Sequence, residues 1–215
     1  MIQFKYMTNL KEEKLVTKRF YDQNAANWVI KRSNLNYCRD EFTQFQQMLS
    51  SGKILDLGCG TGRDANLFLP AGYDYTGIDL SDGMIFEAKK LFPNGNFMTM
   101  DLAHLNFADN LFDGIWSFAA YLHLPKSEIN GAIKESNRVL KLGGIGFITI
   151  KKGSIESYLG EGDKKRYWSF YGKNQFAKIL KDNGFEVIKS WEDKREYNPP
   201  TDVSIFLCYF IKKIK

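Results

Sequence analysis

The chain has 215 residues, 44% of them hydrophobic, with a formal net charge of +5 at pH 7. This predicts one folded domain, and the sequence has no apolar run near the roughly eighteen residues of a membrane span. Basic and acidic residues are interspersed, which favours a solvated surface over nucleic-acid binding. Three widely spaced cysteines, and a beginning without a signal-peptide pattern, predict a cytoplasmic protein with neither disulfide framework nor metal site.

Helical and strand-like patterns alternate along the sequence. The predicted helices cover residues 11–31, 39–49, 63–69, 82–91, 126–140 and 173–183. The predicted strands cover residues 53–57, 73–78, 96–100, 112–117, 144–151, 185–191 and 203–211. We assign no regular element between 151 and 173, and expect glycines at 143 and 144 to end the fifth helix. This order predicts a doubly wound α/β fold with a seven-stranded, mostly parallel sheet.

The segment at residues 54–64 is the most informative part of the sequence. Its short apolar run breaks into alternate glycines, Gly58, Gly60 and Gly62, and a helical pattern follows. A strand, glycine turn and helix bring the backbone close to a nucleotide-like ligand. Asp79 follows about twenty residues later, where a carboxylate accepts hydrogen bonds from ribose hydroxyls. An adenosine-containing ligand is therefore predicted, although residues 60–65 also fit a dinucleotide fingerprint.

The finer pattern separates these two ligands. Asp56 followed by Leu-Gly-Cys-Gly-Thr-Gly resembles the E/D-x-G-x-G-x-G motif of class I S-adenosylmethionine (SAM)-dependent methyltransferases. The resemblance continues through Asp79 and Asp101 and covers roughly residues 53–150. It implies strand order 3-2-1-4-5-7-6 with strand seven antiparallel, SAM as methyl donor and S-adenosylhomocysteine as product. It also points to the branch of the family that acts on small molecules.

The resemblance implies a role for each cofactor residue. The glycine loop would wrap the methionine portion of SAM, Asp56 would help fix the ammonium group, and Asp79 would bind the ribose. Asp101 would read the adenine amino group. The remaining predicted cofactor residues are Cys59, Leu80, Met84, Leu102, Ser117 and Phe118. The alternatives are a loop tether for Asp56, a helix cap for Asp79 and a turn for Asp101; we expect no nucleophilic role for Cys59.

Acceptor-side residues are suggested by chemistry and position. His123 lies just beyond the fourth strand and is our candidate general base; the alternative is a loop histidine that hydrogen-bonds the backbone before Pro125. Arg166 and Tyr167 begin an aromatic stretch suited to a flat or carboxylate-bearing substrate. Tyr121 is a further candidate contact.

The first predicted helix carries a second family pattern. Residues 20–28 resemble the Tyr-Asp-x-x-Ala-x-x-Trp/Tyr opening of many small-molecule methyltransferases, where this helix forms part of a lid. Tyr21 and Trp28 are therefore candidate contacts to cofactor or substrate. We expect residues 1–50 to form an N-terminal helical lid or cap, packed on a SAM-binding core of residues 51–215.

These patterns predict methyl transfer from SAM to an O, N or S atom of a small molecule by in-line displacement. Ser117 is not followed by the Pro-Pro-aromatic sequence that nucleic-acid amino-methyltransferases have at this place, and Asn198-Pro199-Pro200 is expected to be a loop turn.

The main alternative is an RNA or protein methyltransferase that docks through basic surface. A NAD(P)-dependent reductase is less favoured, because the Tyr-x-x-x-Lys match at Tyr209 and Lys213 lies in the last strand. A non-catalytic SAM-binding subunit is a third alternative. We expect no membrane partner.

Overall fold

A seven-stranded sheet organises the protein, whose computed structural model describes residues 10–31, 37–194 and 205–215. The strands are β1 (Lys53–Leu57), β2 (Asp74–Asp79), β3 (Asn96–Thr99), β4 (Phe112–Phe118), β5 (Leu140–Lys151), β6 (Glu156–Leu159), β7 (Arg166–Ser169), β8 (Phe185–Asp193) and β9 (Phe206–Lys213). The sheet order is β3-β2-β1-β4-β5-β9-β8. Strands β1 to β5 are parallel, and β9 is antiparallel to both neighbours. This confirms the predicted order, with β8 and β9 as the sixth and seventh strands.

Helices follow the parallel strands β1, β2 and β4, and a loop joins β3 to β4, within the predicted doubly wound α/β fold. They are α1 (Glu12–Lys31), α2 (Arg39–Met48), α3 (Ala65–Phe68), α4 (Asp82–Leu91), α5 (Lys126–Val139) and α6 (Lys173–Asp182). The predicted glycine stop after α5 is wrong: the helix ends at Val139, and β5 begins at once because the buried Leu140 pairs with Phe112 of β4. The predicted turn at Asn198-Pro199-Pro200 and the predicted strand start at residue 203 lie outside the described residues.

The segment between β5 and α6 contains regular structure that the sequence analysis does not assign. Strands β6 and β7 pair antiparallel as a separate two-stranded sheet. This hairpin lies against α1, where the Tyr167 amide donates to the hydroxyl of Thr17 at 3.0 Å. The hairpin therefore places its residues close to the carboxyl ends of the parallel strands.

The core fixes β1 and β4 beneath the site. Phe45 of α2 packs edge-on against Phe68 of α3 and against Trp116 of β4, and all three side chains are fully buried. Phe147 of β5 lies next to Trp116, with ring centroids 4.5 Å apart. Aromatic packing of this kind holds the strand ends in place.

Helix α1 is attached to the ends of β2 and β3 by polar contacts. Asp22 accepts hydrogen bonds from the Ser81 hydroxyl at 2.7 Å and from the Gly83 amide at 3.1 Å. The buried Lys14 lies 2.6 Å from Asp101, just beyond β3. Helix α1 thus packs across the carboxyl edge of the sheet, whereas α2 contributes to the core. The division of the chain at residue 50 stays a prediction.

Candidate active site

A cavity of about 650 Å³ lies at the carboxyl ends of β1, β2 and β4, with α1 as one wall. Open α/β sheets bind ligands at this edge. Most of the predicted site residues line it: Tyr21, Trp28, Asp56, Gly58, Cys59, Gly60, Asp79, Leu80, Met84, Asp101, Leu102, Phe118, His123 and Arg166. Gly62, Ser117, Tyr121 and Tyr167 do not. The structure therefore gathers fourteen separate predictions into one site.

The glycine loop is tied to the end of β2 by its backbone. The amides of Gly58 and Cys59 both donate to the carbonyl of Ile78, at 2.8 and 2.9 Å. Gly58 has a φ of +78°, and a Cβ there would lie 2.2 Å from the Ala120 Cβ. At Gly60, whose φ is +55°, no atom lies within 4 Å of a Cβ position. The loop therefore needs glycine for its backbone conformation and leaves open space in front of Gly60.

Asp79 joins the second strand to the glycine loop. Its carboxylate accepts from the Gly60 amide at 3.0 Å and from the Ser81 amide at 2.9 Å. Burial raises the pKa of this carboxyl to about 6, against the lowering effect of the amide hydrogen bonds. Ser81 caps α4 by accepting from the Met84 amide at 3.1 Å, so Asp79 is not needed as that cap. The Leu80 amide adds a third hydrogen bond, so at least one of the roughly four lone-pair sites of the carboxylate is left for a ligand.

Asp56 is a buried carboxylate in the cavity wall. It is 2% exposed, and it accepts a hydrogen bond from the Tyr75 hydroxyl at 2.6 Å. Burial, with the nearby Asp64 carboxylate, raises the pKa of Asp56 well above its ordinary value. Burial also raises the pKa of the Cys59 thiol. A protonated thiol is a poor nucleophile, which agrees with the prediction that Cys59 has no covalent role.

Asp64 is a site residue that the sequence analysis missed. It forms a two-pronged ion pair with Arg63, at 2.6 and 2.8 Å, and accepts from the Trp116 indole at 2.8 Å. Both Asp64 and Arg63 line the cavity. The available signal was the Arg-Asp pair that directly follows the glycine motif.

Asp101 pairs with a lysine that its place in the sequence does not suggest. Its Oδ2 lies 2.6 Å from Lys14 Nζ, and its Oδ1 accepts from the Ala103 amide at 3.0 Å. The second contact is the turn named above as the alternative. Lys14 also lies 2.5 Å from Glu128, and its side chain is 3% exposed. The adenine-reading role of Asp101 stays a prediction.

His123 forms two hydrogen bonds. Its Nδ1 lies 2.7 Å from the Tyr167 carbonyl, which can only accept, so Nδ1 carries the proton. Nε2 then accepts from the Tyr21 hydroxyl at 2.8 Å. Burial, together with Arg166 and Lys151, lowers the pKa of His123 to about 3. The histidine is neutral and bonded to backbone, as in the alternative interpretation, and its general-base role stays a prediction.

Four predicted contacts do not line the cavity. Tyr121 is fully buried and its hydroxyl pairs with Ser136 at 2.5 Å. The Ser117 hydroxyl donates to the Leu57 carbonyl at 3.0 Å beneath the loop. Gly62 lies in the turn after the loop, where its amide donates to the Cys59 carbonyl at 3.0 Å. These positions correct the predictions for Gly62, Ser117 and Tyr121, because each group faces the protein interior.

Tyr167 is the fourth correction. Its hydroxyl donates to Glu156 at 2.6 Å on the neighbouring strand. Side chains alternate along a strand, so Arg166 and Trp168 of β7 both line the cavity while Tyr167 does not. Trp168 lies in the predicted aromatic stretch but was not selected as a contact. Lys151 at the end of β5, whose Nζ lies 4.5 Å from the Trp168 ring centroid, was not predicted.

The reductase pair lies away from this site. The Tyr209 hydroxyl donates to the Lys173 carbonyl at 2.9 Å, and Lys213 donates to the Leu140 carbonyl at 2.8 Å. Neither residue lines the cavity.

Within residues 10–31, 37–194 and 205–215, no helix combines the length and apolar character that crossing a membrane requires. The same ranges hold no cluster of three or more His, Cys, Asp or Glu side chains that could bind a metal.

Comparisons with known proteins identify the family. Residues 54–144 match the family model described as a methyltransferase domain. An uncharacterised methyltransferase of Bacillus subtilis, YodH, is 28% identical over 165 residues, covering 71% of this chain and 69% of that protein. A malonyl-[acyl-carrier protein] O-methyltransferase of Buchnera aphidicola is 35% identical over 130 residues, covering 59% of this chain and 50% of that protein.

A solved structure shows the same fold over nearly the whole chain. It is the 1,6-didemethyltoxoflavin-N1-methyltransferase of Burkholderia thailandensis, with bound 1,6-didemethyltoxoflavin and S-adenosylhomocysteine. The TM-score is 0.75 at 16% identity, over 96% of this chain and 92% of that one. Together with the family match and the sheet order, this confirms the resemblance found in the sequence. Residues 54–144 belong to the methyltransferase domain family, within a sheet that has the strand order of the class I SAM-dependent methyltransferase fold.

Proposed function

We propose that this methyltransferase transfers the methyl group of SAM to an oxygen, nitrogen or sulfur atom of a small molecule. One observation carries the proposal: a single cavity is lined both by the glycine loop and by aromatic side chains of α1 and β7. Its volume of about 650 Å³ falls within the roughly 300–1,000 Å³ typical of small-ligand sites. A relative named as a malonyl-[acyl-carrier protein] O-methyltransferase supports an oxygen acceptor, and one named as a 2-methyl-6-phytyl-1,4-hydroquinone methyltransferase supports a small-molecule acceptor.

The charges of the cavity wall fit SAM. When bound, SAM supplies a methyl group on a positively charged sulfonium, and it also carries an ammonium group. Asp56 is a buried carboxylate whose pKa is raised mainly by burial, so a nearby cation would stabilise its ionised form. We assign Asp56 to the ammonium group, Asp79 to the ribose and Asp101 to the adenine. The open space at Gly60 admits the ligand close to the backbone.

Helix α1 is proposed to act as the lid. Phe20, Tyr21 and Trp28 pack edge to face with centroids 5.2–5.9 Å apart, and all three line the cavity. This aromatic wall would exclude water while the residues beneath hold donor and acceptor in line. The assignment of residues 1–50 as a lid or cap is part of this proposal.

Proton transfer by His123 is not central to the proposed reaction. Its Nε2 already accepts from the Tyr21 hydroxyl, and its pKa of about 3 makes it a weak base at neutral pH. The protein therefore acts mainly by alignment and exclusion of water. His123 positions Tyr21 at the cavity wall.

The main alternative is an RNA or protein acceptor that docks on basic surface. Two of the three α1 lysines that line the cavity are instead paired with carboxylates: Lys14 lies 2.6 Å from Asp101, and Lys18 lies 2.7 Å from Asp22 and 2.8 Å from Asp82. Such pairing reduces the positive charge available to a polyanion. The small-molecule acceptor is therefore the better supported proposal.

The cofactor part is tested by isothermal titration with SAM, S-adenosylhomocysteine and NADH. We expect binding of the first two without NADH; binding of NADH alone would contradict the proposal. Asp79→Asn should weaken SAM binding by about 1.5–3 kcal/mol through loss of charged hydrogen bonds. The matched control is Asp74→Asn at the other, exposed end of β2, which should leave SAM affinity unchanged.

The acceptor part is tested with methyl-labelled SAM. The purified protein is incubated with separated small-molecule, RNA and protein fractions of a cell extract, and the label is counted in each. Label confined to the small-molecule fraction supports the proposal. Label in RNA or protein would establish the alternative.

A further inference from the structure

The cavity has acidic and basic regions in different places. On one side of the site, Asp56 lies next to the last residue of β1, Asp79 ends β2, and Asp101 follows β3. Arg166 of β7 and Lys151 at the end of β5 lie on the other side. In the sheet order β2 and β5 are separated by β1 and β4, which corresponds to roughly 14 Å at the usual strand spacing. The acidic side suits the cationic methyl donor. The basic side lies across the cavity from the three aspartates.

Arg166 has few partners for a cavity arginine. Its guanidinium lies between two rings, with Cζ 4.4 Å from the Phe20 centroid and 4.8 Å from the Trp168 centroid. Its NH1 donates to the Tyr21 hydroxyl at a long 3.4 Å. Its Nε is buried without a hydrogen-bond partner. Rings hold the guanidinium in place, but they do not satisfy its fork of N–H donors.

The comparison with other arginines shows what is missing. Arg63 pairs with Asp64 at 2.6 Å, and Arg138 pairs with Asp109 and with Glu135 at 2.7 and 2.8 Å. No carboxylate within residues 10–31, 37–194 and 205–215 forms such an ion pair with Arg166. A partly buried guanidinium without an anionic partner is costly. A ligand carboxylate would provide the two acceptors that its planar fork matches.

Lys151 adds a second positive charge at the same place. It is 7% exposed, and it lines the cavity beside the ring of Trp168. His123, whose ring centroid lies 4.6 Å from that of Trp168, is neutral and so does not offset or add to the charge. The pKa of His123 is lowered first by burial and then by the positive charges of Arg166 and Lys151.

We propose that the methyl acceptor is an organic acid whose carboxylate binds the Arg166 guanidinium between Phe20 and Trp168. The inference rests on the proposed function and names the substrate class of that same site. Hydrogen bonding to the guanidinium draws electron density from the carboxylate, so the carboxylate acts as the anchor. The methyl group is accepted by another atom of the molecule, nearer to the glycine loop.

The test uses the full-length protein saturated with S-adenosylhomocysteine. Matched probes are titrated by calorimetry: 4-hydroxybenzoate against 4-hydroxybenzamide, and succinate against succinamide, with inorganic phosphate as a separate arm. We expect at least one carboxylate to bind at least tenfold more tightly than its amide. Arg166→Gln should weaken that binding tenfold or more, while Arg166→Lys, which keeps the charge but loses the fork, should have an intermediate effect.

Two controls separate the possible failures. Lys165→Gln removes a neighbouring positive charge that does not line the cavity, and it should bind every probe as the unchanged protein does. Unchanged affinity for S-adenosylhomocysteine in Arg166→Gln shows that the variant is folded. If the protein without substitutions did not bind S-adenosylhomocysteine, the proposed function itself would be refuted instead.

Several outcomes would overturn the proposal while leaving the methyltransferase assignment intact. These are equal binding of carboxylates and amides, no carboxylate binding at all, or carboxylate binding that is the same in Arg166→Gln. Phosphate that binds through Arg166 as tightly as the carboxylates would show a general oxyanion site and overturn the carboxylate assignment.

Discussion

Lys14 is a buried lysine that joins α1 to the cavity, and its removal tests how firmly this helix is held. Its Nζ lies 2.6 Å from Asp101 Oδ2 and 2.5 Å from Glu128 Oε2. The change Lys14→Met keeps the apolar stem of the side chain. It leaves two largely buried carboxylates without the cation that they share.

The size of the effect follows from the surroundings of these carboxylates. Removing one partner of a buried ion pair costs about 3–5 kcal/mol, because the remaining charge stays out of water. The side chains of Asp101 and Glu128 are 10% and 18% exposed, and each keeps another partner. These are the Ala103 amide for Asp101 and Lys11 for Glu128. We therefore expect the free energy of unfolding to fall by about 3 kcal/mol, the lower end of this range.

Urea unfolding followed by tryptophan fluorescence measures this loss, with an unchanged m-value as the condition for comparing midpoints. The matched control is Lys11→Met. Lys11 also pairs with Glu128, at 3.2 Å, but its side chain is 46% exposed, so its loss should cost less than about 1 kcal/mol. If Lys14→Met lost no more than this control, the ion pairs of Lys14 would be screened by water, and the reasoning from burial would be refuted.

Three further predictions concern the cavity. Gly58→Ala should abolish SAM binding in calorimetry, because its Cβ would lie 2.2 Å from the Ala120 Cβ at a φ of +78°; retained affinity would contradict the loop geometry. Burial raises the pKa of Asp79 to about 6, so SAM affinity should be full above pH 7 and should fall as the pH drops through 6. A constant affinity from pH 5 to 8 would count against ribose binding by the ionised carboxylate. His123→Gln should leave the pH profile of methyl transfer unchanged between pH 6 and 8, since the pKa of His123 is about 3; loss of a rising limb near 6.5 would instead identify His123 as the base.

The parallel part of the fold could be predicted because its signals are local. Strand β1 is an apolar run that is buried from its second residue onward, and β2 ends at a carboxylate. Between them the glycine loop needs a backbone that few other residues adopt. Strand ends that are neighbours in a parallel sheet lie at one edge. The positions of Asp56 and Asp79 therefore followed once the strands were identified.

The contacts of α1 could not be predicted in the same way. Residues Lys14 and Asp101 are separated by 87 positions, and the lysine is buried by a helix that also buries Thr17. An amphipathic helix is recognised by an apolar stripe, whereas α1 buries the polar residues Lys14 and Thr17 together with Phe20 and Ala25. The family pattern of α1 indicated Tyr21 and Trp28, which both line the cavity, but it did not indicate that Lys14 is buried against Asp101.

The hairpin shows how one missing element changes a site prediction. Without an assigned strand, the sequence predicts contacts from both Arg166 and its neighbour Tyr167. Because side chains alternate along β7, Arg166 and Trp168 share the cavity face instead. Trp168 also packs against His123, with ring centroids 4.6 Å apart. The proposed donor contacts thus come from the ends of β1 to β3, and the proposed acceptor contacts from β7 and α1. Substitutions in the hairpin should therefore change acceptor selectivity without changing affinity for the donor.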